Sequence, residues 1–197
     1  PSLEAQLSNL ADEIAYNHHD LDDGLRAGLL SLDDVLVIPT ALEQADLVDK
    51  LYPGIERNRR QSEIIRRMIS AQVEDLVLST LSNLENANLT SIEDVRNFPQ
   101  PLVGFSGYMK ENVTKLKKFL HDQMYKHPNV LEMTSVAEEV VENLFFRMLN
   151  DSKEHNDAKR LRLIADNIAA MTDRNAASIH EKWFPEKVSW PSPVGFV

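Results

Sequence analysis

The sequence contains no cysteine, which excludes a disulfide framework and any metal site built on thiolates. Glycine is scarce, with 6 residues among 197. Leu, Glu, Ala and Asp are among the most frequent residues, which favours helices over a sandwich or barrel, so we predict an all-α chain. No apolar run approaches the roughly 18 residues of a membrane-spanning helix, and no signal peptide opens the sequence. These absences predict a soluble cytoplasmic protein that has no membrane partner.

An excess of positive charge is also missing, because the formal net charge is −10 at pH 7. The chain as a whole therefore lacks the excess positive charge that binds nucleic acid. A local basic cluster on the acidic background is not excluded. The 43% of hydrophobic residues allow a sizeable core. The sequence has no initiator methionine and opens on a helix-start signal, so we expect a fragment of a longer protein. Removal of a methionine would look the same.

The clearest break in the chain is the stretch 99–107, which holds two prolines and two glycines. We place a domain boundary there, which gives one domain over residues 1–98 and a second over residues 99–197. The longest helical pattern runs from about residue 56 to residue 85, and its first third is basic. The prolines at 185, 191 and 193 predict an extended C-terminal tail.

Polar side chains line one side of the first helix if residues 5–24 are read as one helix at about 100° per residue. The leucines and Ile14 fall on the opposite side, which must be buried. The polar row consists of Asp12, Tyr16, His19, Asp20 and Asp23. Such a row faces either water or a site. A break near residue 18, with Asp20 as the N-cap of a second helix, is the alternative.

Two stretches carry a resemblance to a known family. Residues 10–16 (LADEIAY) followed by 19–25 (HDLDDGL) closely resemble the deoxynucleoside-triphosphate triphosphohydrolases of the HD-domain superfamily, the dGTPase-like proteins. Residues 166–174 (DNIAAMTDR) resemble the closing motif of the helical domain that follows the HD domain there, with departures at Asn167, Ala170 and Asn175. The resemblance implies that residues 1–98 complete an HD-type domain and that residues 99–197 form its associated helical domain.

The resemblance implies roles for three residues of the polar row. Asp12 stands where the family has the last ligand of its metal site, which implies a divalent ion, Mg²⁺ or Mn²⁺, with a transition metal as the alternative. Tyr16 and Asp20 stand where the family lines the nucleotide sugar. A carboxylate there can accept a hydrogen bond from the 3′-hydroxyl, and an aromatic ring against C2′ leaves no room for a ribose 2′-hydroxyl. The plain alternatives are an acidic surface for Asp12 and a core-edge position for Tyr16.

The arginines at the start of the long helix are the best phosphate candidates. Arg60 and Arg67 lie seven residues apart and share a helix face, and planar guanidinium groups suit a triphosphate. The alternative is a solvated basic face that pairs with the many acids of the chain. Some family members also bind single-stranded DNA on a basic surface. Adjacent His18 and His19 point about 100° apart on a helix, which favours surface or supporting roles over joint metal ligation.

The function implied by the resemblance is hydrolysis of a dNTP to deoxynucleoside and tripolyphosphate, with metal-bound water attacking the α-phosphorus. The family's other metal ligands, a His and a His-Asp pair, lie on earlier helices, and nothing before Asp12 supplies them here. We therefore expect this chain alone to be inactive and its parent to be a homo-oligomer. A helical oligomerisation or regulatory module without catalysis is the second hypothesis. A helical scaffold with no link to nucleotides is the third.

Overall fold

The computed structural model describes residues 1–151 and 158–186, and in these ranges every regular element is helical. The predicted all-α class is therefore confirmed. None of the described helices combines the length and apolar character that crossing a bilayer requires. The predicted tail lies outside the described residues from position 187 onward. The helices are α1 (Leu3–Arg26), α2 (Leu32–Val35), α3 (Pro39–Leu51), α4 (Arg57–Ala87), α5 (Ile92–Asn97), α6 (Gly107–Phe119), α7 (Pro128–Asp151), α8 (Ala158–Ala169) and α9 (Asp173–Trp183).

Helix α1 is one continuous element, so the alternative of a break near residue 18 is wrong. It begins at Ser2, whose hydroxyl oxygen accepts a hydrogen bond from the backbone N–H of Ala5 at 3.3 Å. It continues through Gly24, which is buried because Leu30 packs directly on its backbone. A Cβ atom at this glycine would lie 2.7 Å from Cδ1 of Leu30. The polar row of α1 is therefore carried on a single rigid element.

The first compact unit comprises residues 1–125. In it α1 and α3 both pack against α4, and a π-helical segment, Leu120–Tyr125, continues α6 and contacts α1. Its main core consists of buried aliphatic and methionine side chains: Leu21, Leu30, Leu32, Val35, Ile38, Ala41, Ala45, Val48, Ile64, Ile65, Met68, Leu116 and Leu120. The units divide after residue 125, whereas the predicted boundary follows residue 98. That boundary concerns family domains rather than compactness, and it stays a prediction.

The second compact unit begins at Lys126, and its described part contains α7, α8 and α9. Helix α7 packs against both of the others. The unit buries the imidazole of His180, whose Nε2 atom lies 3.1 Å from Nδ2 of Asn143. The ring of Phe184 packs against the same imidazole at a centroid distance of 5.1 Å. Hydrogen bonding and ring packing thus explain how this unit accommodates a buried histidine.

Candidate functional site

Tyr16 and Asp20, the two predicted sugar-lining residues, are joined by Tyr125. The hydroxyl oxygens of Tyr16 and Tyr125 lie 2.6 Å apart, and the Tyr125 hydroxyl donates to Oδ2 of Asp20. Because Tyr125 has only one hydroxyl proton and gives it to the carboxylate, Tyr16 must be the donor in the contact between the two tyrosines. The three side chains therefore form an ordered chain of hydrogen bonds between α1 and the π-helical segment.

The surroundings of Tyr125 fix the position of the proton in this set of hydrogen bonds. Burial, followed by the hydrogen bonds to Asp20 and Tyr16, raises the pKa of Tyr125 well above the ordinary value for a phenol. Its hydroxyl therefore stays protonated and keeps donating to the carboxylate. Within the described residues, Asp20 makes its side-chain hydrogen bond through Oδ2 alone. Its Oδ1 atom remains as an acceptor for another donor.

A cavity of about 440 Å³ opens beside the hydrogen-bonded side chains of Tyr16 and Tyr125. It is lined by Tyr16, Asn17, Lys117, Lys118, Leu120, His121 and Tyr125. Asn17 is 1% exposed, and in the described part of the protein neither atom of its amide group has a hydrogen-bond partner. A buried amide without partners costs free energy, so this group offers both a donor and an acceptor to whatever enters the cavity.

The charged groups of the cavity wall form ion pairs. Nζ of Lys117 lies 3.2 Å from a carboxylate oxygen of Glu13. Lys118 and His121 share Asp122, at 2.8 and 3.0 Å. Two carboxylates therefore face two ammonium groups and one imidazole. This arrangement suits a ligand that carries negative charge at one end and hydroxyl groups at the other.

Asp12 lies one turn before Tyr16 on α1, and its side chain is exposed. In the ranges 1–151 and 158–186, no group of three or more His, Cys, Asp or Glu side chains is arranged to hold a metal ion. The described residues thus supply one carboxylate and do not make a complete site, since octahedral ions take about six ligands. The metal role of Asp12 stays a prediction that needs ligands from outside this chain.

Arg60 and Arg67 each bind an acid of this chain and do not line the cavity beside Tyr16. Arg60 forms a two-pronged ion pair with Asp49, with distances of 2.6 and 2.8 Å. Arg67 donates to Glu63 at 2.8 Å, and Glu63 also accepts from Arg66. The hydrogen bonds from Arg66, and then those from Arg67, lower the pKa of Glu63 to about 2. Both arginines therefore pair with acids of the protein, as the alternative interpretation of this basic face has it. A substrate role for either arginine stays a prediction.

His18 is buried at 1% exposure, so of the two expected roles a surface position is wrong for this residue, while a supporting role stays a prediction. Its Nδ1–H group donates to the backbone oxygen of Ile14 at 2.7 Å. Burial is the main cause that lowers its pKa, so the ring is neutral at pH 7 and Nε2 is an acceptor. Within the described ranges, Nε2 has no hydrogen-bond partner. His19, by contrast, is exposed.

Sequence reasoning missed Tyr125, Lys117 and Asn17 as members of this site. A usable signal existed for two of them, because Lys117, His121 and Tyr125 recur every four residues and so share one helix face. Helix periodicity also held a signal for Asn17, because it lies seven residues after Leu10 and four before Leu21, on the side of α1 that must be buried.

Comparison with known proteins gives a consistent result over nearly the whole chain. Residues 103–182 match the family described as "Phosphohydrolase-associated domain". The chain is similar to the "Deoxyguanosinetriphosphate triphosphohydrolase-like protein" of Bordetella pertussis, with 41% identity over 93% of this chain and 50% of the relative. The proteins of the same name from Ralstonia nicotianae (41%, covering 95% and 50%) and Brucella suis (39%, covering 93% and 48%) are similar to the same extent. The chain spans about half the length of the curated relatives it matches.

Proposed function

Because this chain is homologous to the deoxyguanosinetriphosphate triphosphohydrolase-like proteins over nearly all of its length, we propose that it forms part of the nucleotide site of a metal-dependent dNTP triphosphohydrolase. The reaction is hydrolysis of a dNTP to deoxynucleoside and tripolyphosphate. The single observation that carries this proposal is the hydrogen-bonded chain of Tyr16, Tyr125 and Asp20 beside a cavity with cationic walls. The hydrogen-bonded side chains are placed to bind one end of a ligand, and the cavity is placed to bind the other.

The sugar end of the substrate is assigned to α1. Oδ1 of Asp20 accepts the hydrogen bond of the 3′-hydroxyl while Oδ2 stays bound to Tyr125. The ring of Tyr16 closes against C2′, where a ribose hydroxyl would need space that a deoxyribose does not. Because Tyr125 holds both side chains, the distance between the ring and the carboxylate is set before substrate arrives. Preference for deoxyribose over ribose follows from this fixed distance.

The polyphosphate end is assigned to the cationic wall of the cavity. Lys117 and Lys118 provide ammonium groups, and His121 adds an imidazole that binds phosphate oxygens best when protonated. The buried amide of Asn17 can donate to a further oxygen. For Arg60 or Arg67 to bind phosphate, each would first have to leave its carboxylate. The lysines are ion-paired as well, but they line the cavity beside Tyr16 and the arginines do not, which makes the lysines the better candidates.

The metal requirement is assigned to Asp12 together with residues outside this chain. Its carboxylate can supply one oxygen ligand to Mg²⁺ or Mn²⁺, or to a transition metal. One ligand does not complete a site for such an ion, which takes about six. The isolated chain is expected to be inactive for the same reason.

The direct test is to assay the full-length protein containing this chain with each dNTP and the matching NTP in the presence of Mn²⁺. Asp20→Asn should weaken dNTP binding by about tenfold, the effect of roughly 1.4 kcal/mol. Asp33→Asn, on the exposed side of α2, is the matched control and should change nothing. Equal hydrolysis of dNTP and NTP by the unmodified protein would overturn the sugar assignment.

A second candidate function, an oligomerisation or regulatory module, is favoured by the apolar side chains that α1 and α4 leave exposed. Light scattering on the full-length protein measures its oligomeric state, for which we propose a homo-oligomer. A module without catalysis predicts an oligomer that releases no tripolyphosphate from any dNTP. An oligomer that does release it supports the hydrolase.

A further inference from the structure

An apolar groove of about 620 Å³ runs between α1 and α4 on the surface of the first unit. Its floor is made of buried or half-buried Ile14, Ile65, Ile69 and Leu76. Its rim carries exposed aliphatic side chains: Leu7 at 47%, Val73 at 46% and Val77 at 49%. Contiguous apolar surface of this kind marks a place where something binds.

The groove continues along most of α1. A smaller apolar cavity of about 230 Å³ shares Leu7, Leu76 and Val77 with it and extends the apolar strip to Leu3 and Leu81. At the other end the groove reaches Arg26, the last residue of α1. A helix of this length measures about 36 Å, which is far longer than a small molecule and matches another helix laid alongside.

A buried histidine contributes a polar atom to the wall of the groove. His18 is among the lining residues, and its Nε2 acceptor has no partner within the described residues. The charged side chains at the end of the groove are already paired, Arg26 with Asp22 and Arg66 with Glu63. The complement of this groove is therefore an apolar face with a hydrogen-bond donor opposite His18, and the paired arginines require no charge from it.

We propose that the groove receives an apolar helix from the half of a full-length homologue that this chain does not span, with one N–H or O–H donor of that helix meeting Nε2 of His18. About half of each relative lies outside the match, because this chain covers only 48–50% of their length. The inference does not depend on nucleotide chemistry.

Hydroxyl-radical footprinting of the full-length protein tests the proposal. Labelling of Leu7, Val73 and Val77 should fall about fivefold or more below that of equally reactive aliphatic residues exposed elsewhere, such as Val37 and Leu163. Labelling of the rim as strong as that of Val37 overturns the proposal. Protection that disappears on dilution assigns the groove to a second copy, and protection that disappears after extraction with organic solvent assigns it to a small apolar ligand. Either result also overturns the proposal.

The histidine part of the proposal has its own readout. In the full-length protein, the ¹⁵N resonance of His18 Nε2 should be that of an unprotonated nitrogen that accepts a hydrogen bond, and a free-acceptor resonance contradicts it. The variant Val77→Arg should restore labelling of Leu7 by displacing the helix, whereas Val37→Arg should not. Labelling is independent of activity, so failure of this inference is distinguishable from failure of the proposed hydrolase.

Discussion

The hydroxyl oxygens of Tyr16 and Tyr125 lie 2.6 Å apart, although 109 residues separate the two tyrosines in the sequence. Tyr125 also donates to Asp20, so it ties two positions of α1 to the end of the π-helical segment. Helix α1 alone places Tyr16 and Asp20 on neighbouring turns. The hydroxyl of Tyr125 joins them into one hydrogen-bonded network. The sugar assignment depends on it.

Replacing Tyr125 by Phe tests the network. The ring stays, but the hydroxyl that bridges Tyr16 and Asp20 is lost, so the free energy of unfolding should fall by about 1–2 kcal/mol. In the full-length protein, the ratio of kcat/KM for dNTP over NTP should fall as well. Denaturant titration and steady-state assays measure the two effects.

Tyr52→Phe, on the surface at the end of α3, is the control, and its free energy of unfolding should stay within about 0.5 kcal/mol of that of the unmodified chain. A Tyr125→Phe variant that matches this control would contradict the network.

His18 predicts a specific pH dependence of stability. Burial lowers its pKa in the folded chain, while in the unfolded chain the imidazole takes up a proton near pH 6.5. Below pH 6.5 the unfolded chain therefore binds more protons, and stability falls as the pH falls, by up to about 1.4 kcal/mol per pH unit from this group. Urea titrations between pH 7.5 and 5.5 measure the slope. It should flatten in His18→Gln and persist in His19→Gln, and an unchanged slope in His18→Gln would refute the assignment.

The helices of this chain were largely predictable because apolar spacing and caps agree along the sequence. Ser2, Ser31, Ser91, Ser106 and Thr172 each cap a helix through a side-chain oxygen. The aliphatic run 35–38 forms no strand, since α2 ends at Val35 and a turn leads into α3. Local composition could not reveal this, because short apolar runs fit a strand and a buried turn equally well.

Glu63 should stabilise the start of α4 through Arg66 and Arg67. The two arginines lower the pKa of Glu63 to about 2, below the ordinary 4.5 of a glutamate. This stabilisation is therefore complete above about pH 4.5 and is lost as the pH falls towards 2. Glu63→Gln should lower the free energy of unfolding by about 0.5–1 kcal/mol at pH 6, with a difference that vanishes near pH 2.

The control for Glu63 is Glu56→Gln. The Glu56 carboxylate lies 4.0 Å from Arg59, and both side chains are well exposed. This substitution should change stability very little at any pH. A Glu56→Gln variant as destabilised as Glu63→Gln would show that general surface charge, rather than the bridge to two arginines, is responsible.

The phosphate assignment separates two sets of basic residues. In the full-length protein, Lys117→Ala should raise KM for a dNTP about tenfold, the effect of roughly 1.4 kcal/mol. Lys115→Ala, on the same helix but away from the cavity, should leave KM unchanged. Arg60→Ala should chiefly lower stability, by up to about 1 kcal/mol, because its partner is Asp49. A tenfold rise of KM in Arg67→Ala together with a normal Lys117→Ala would return the phosphate role to the arginines of α4.

The site was less predictable than the fold for a physical reason. Helix periodicity places Asp12, Tyr16 and Asp20 along one helix, but it does not show what faces them. Tyr125 reaches them only through tertiary packing, and the burial of Asn17 and His18 depends on neighbouring elements in the same way. The arginines were selected on their charge and their shared helix face, whereas their ion pairs depend on where Asp49 and Glu63 lie in space.

The most direct measurement is product analysis with the full-length protein that contains this chain, given a mixture of the four dNTPs and Mn²⁺ in H₂¹⁸O. The account predicts deoxynucleoside and tripolyphosphate in equal amounts, with ¹⁸O in the tripolyphosphate because water attacks the α-phosphorus. It also predicts that Asp12→Asn abolishes both products while the variant stays folded, since the Asp12 side chain is exposed. Release of orthophosphate or pyrophosphate instead, or full activity in Asp12→Asn, would contradict it.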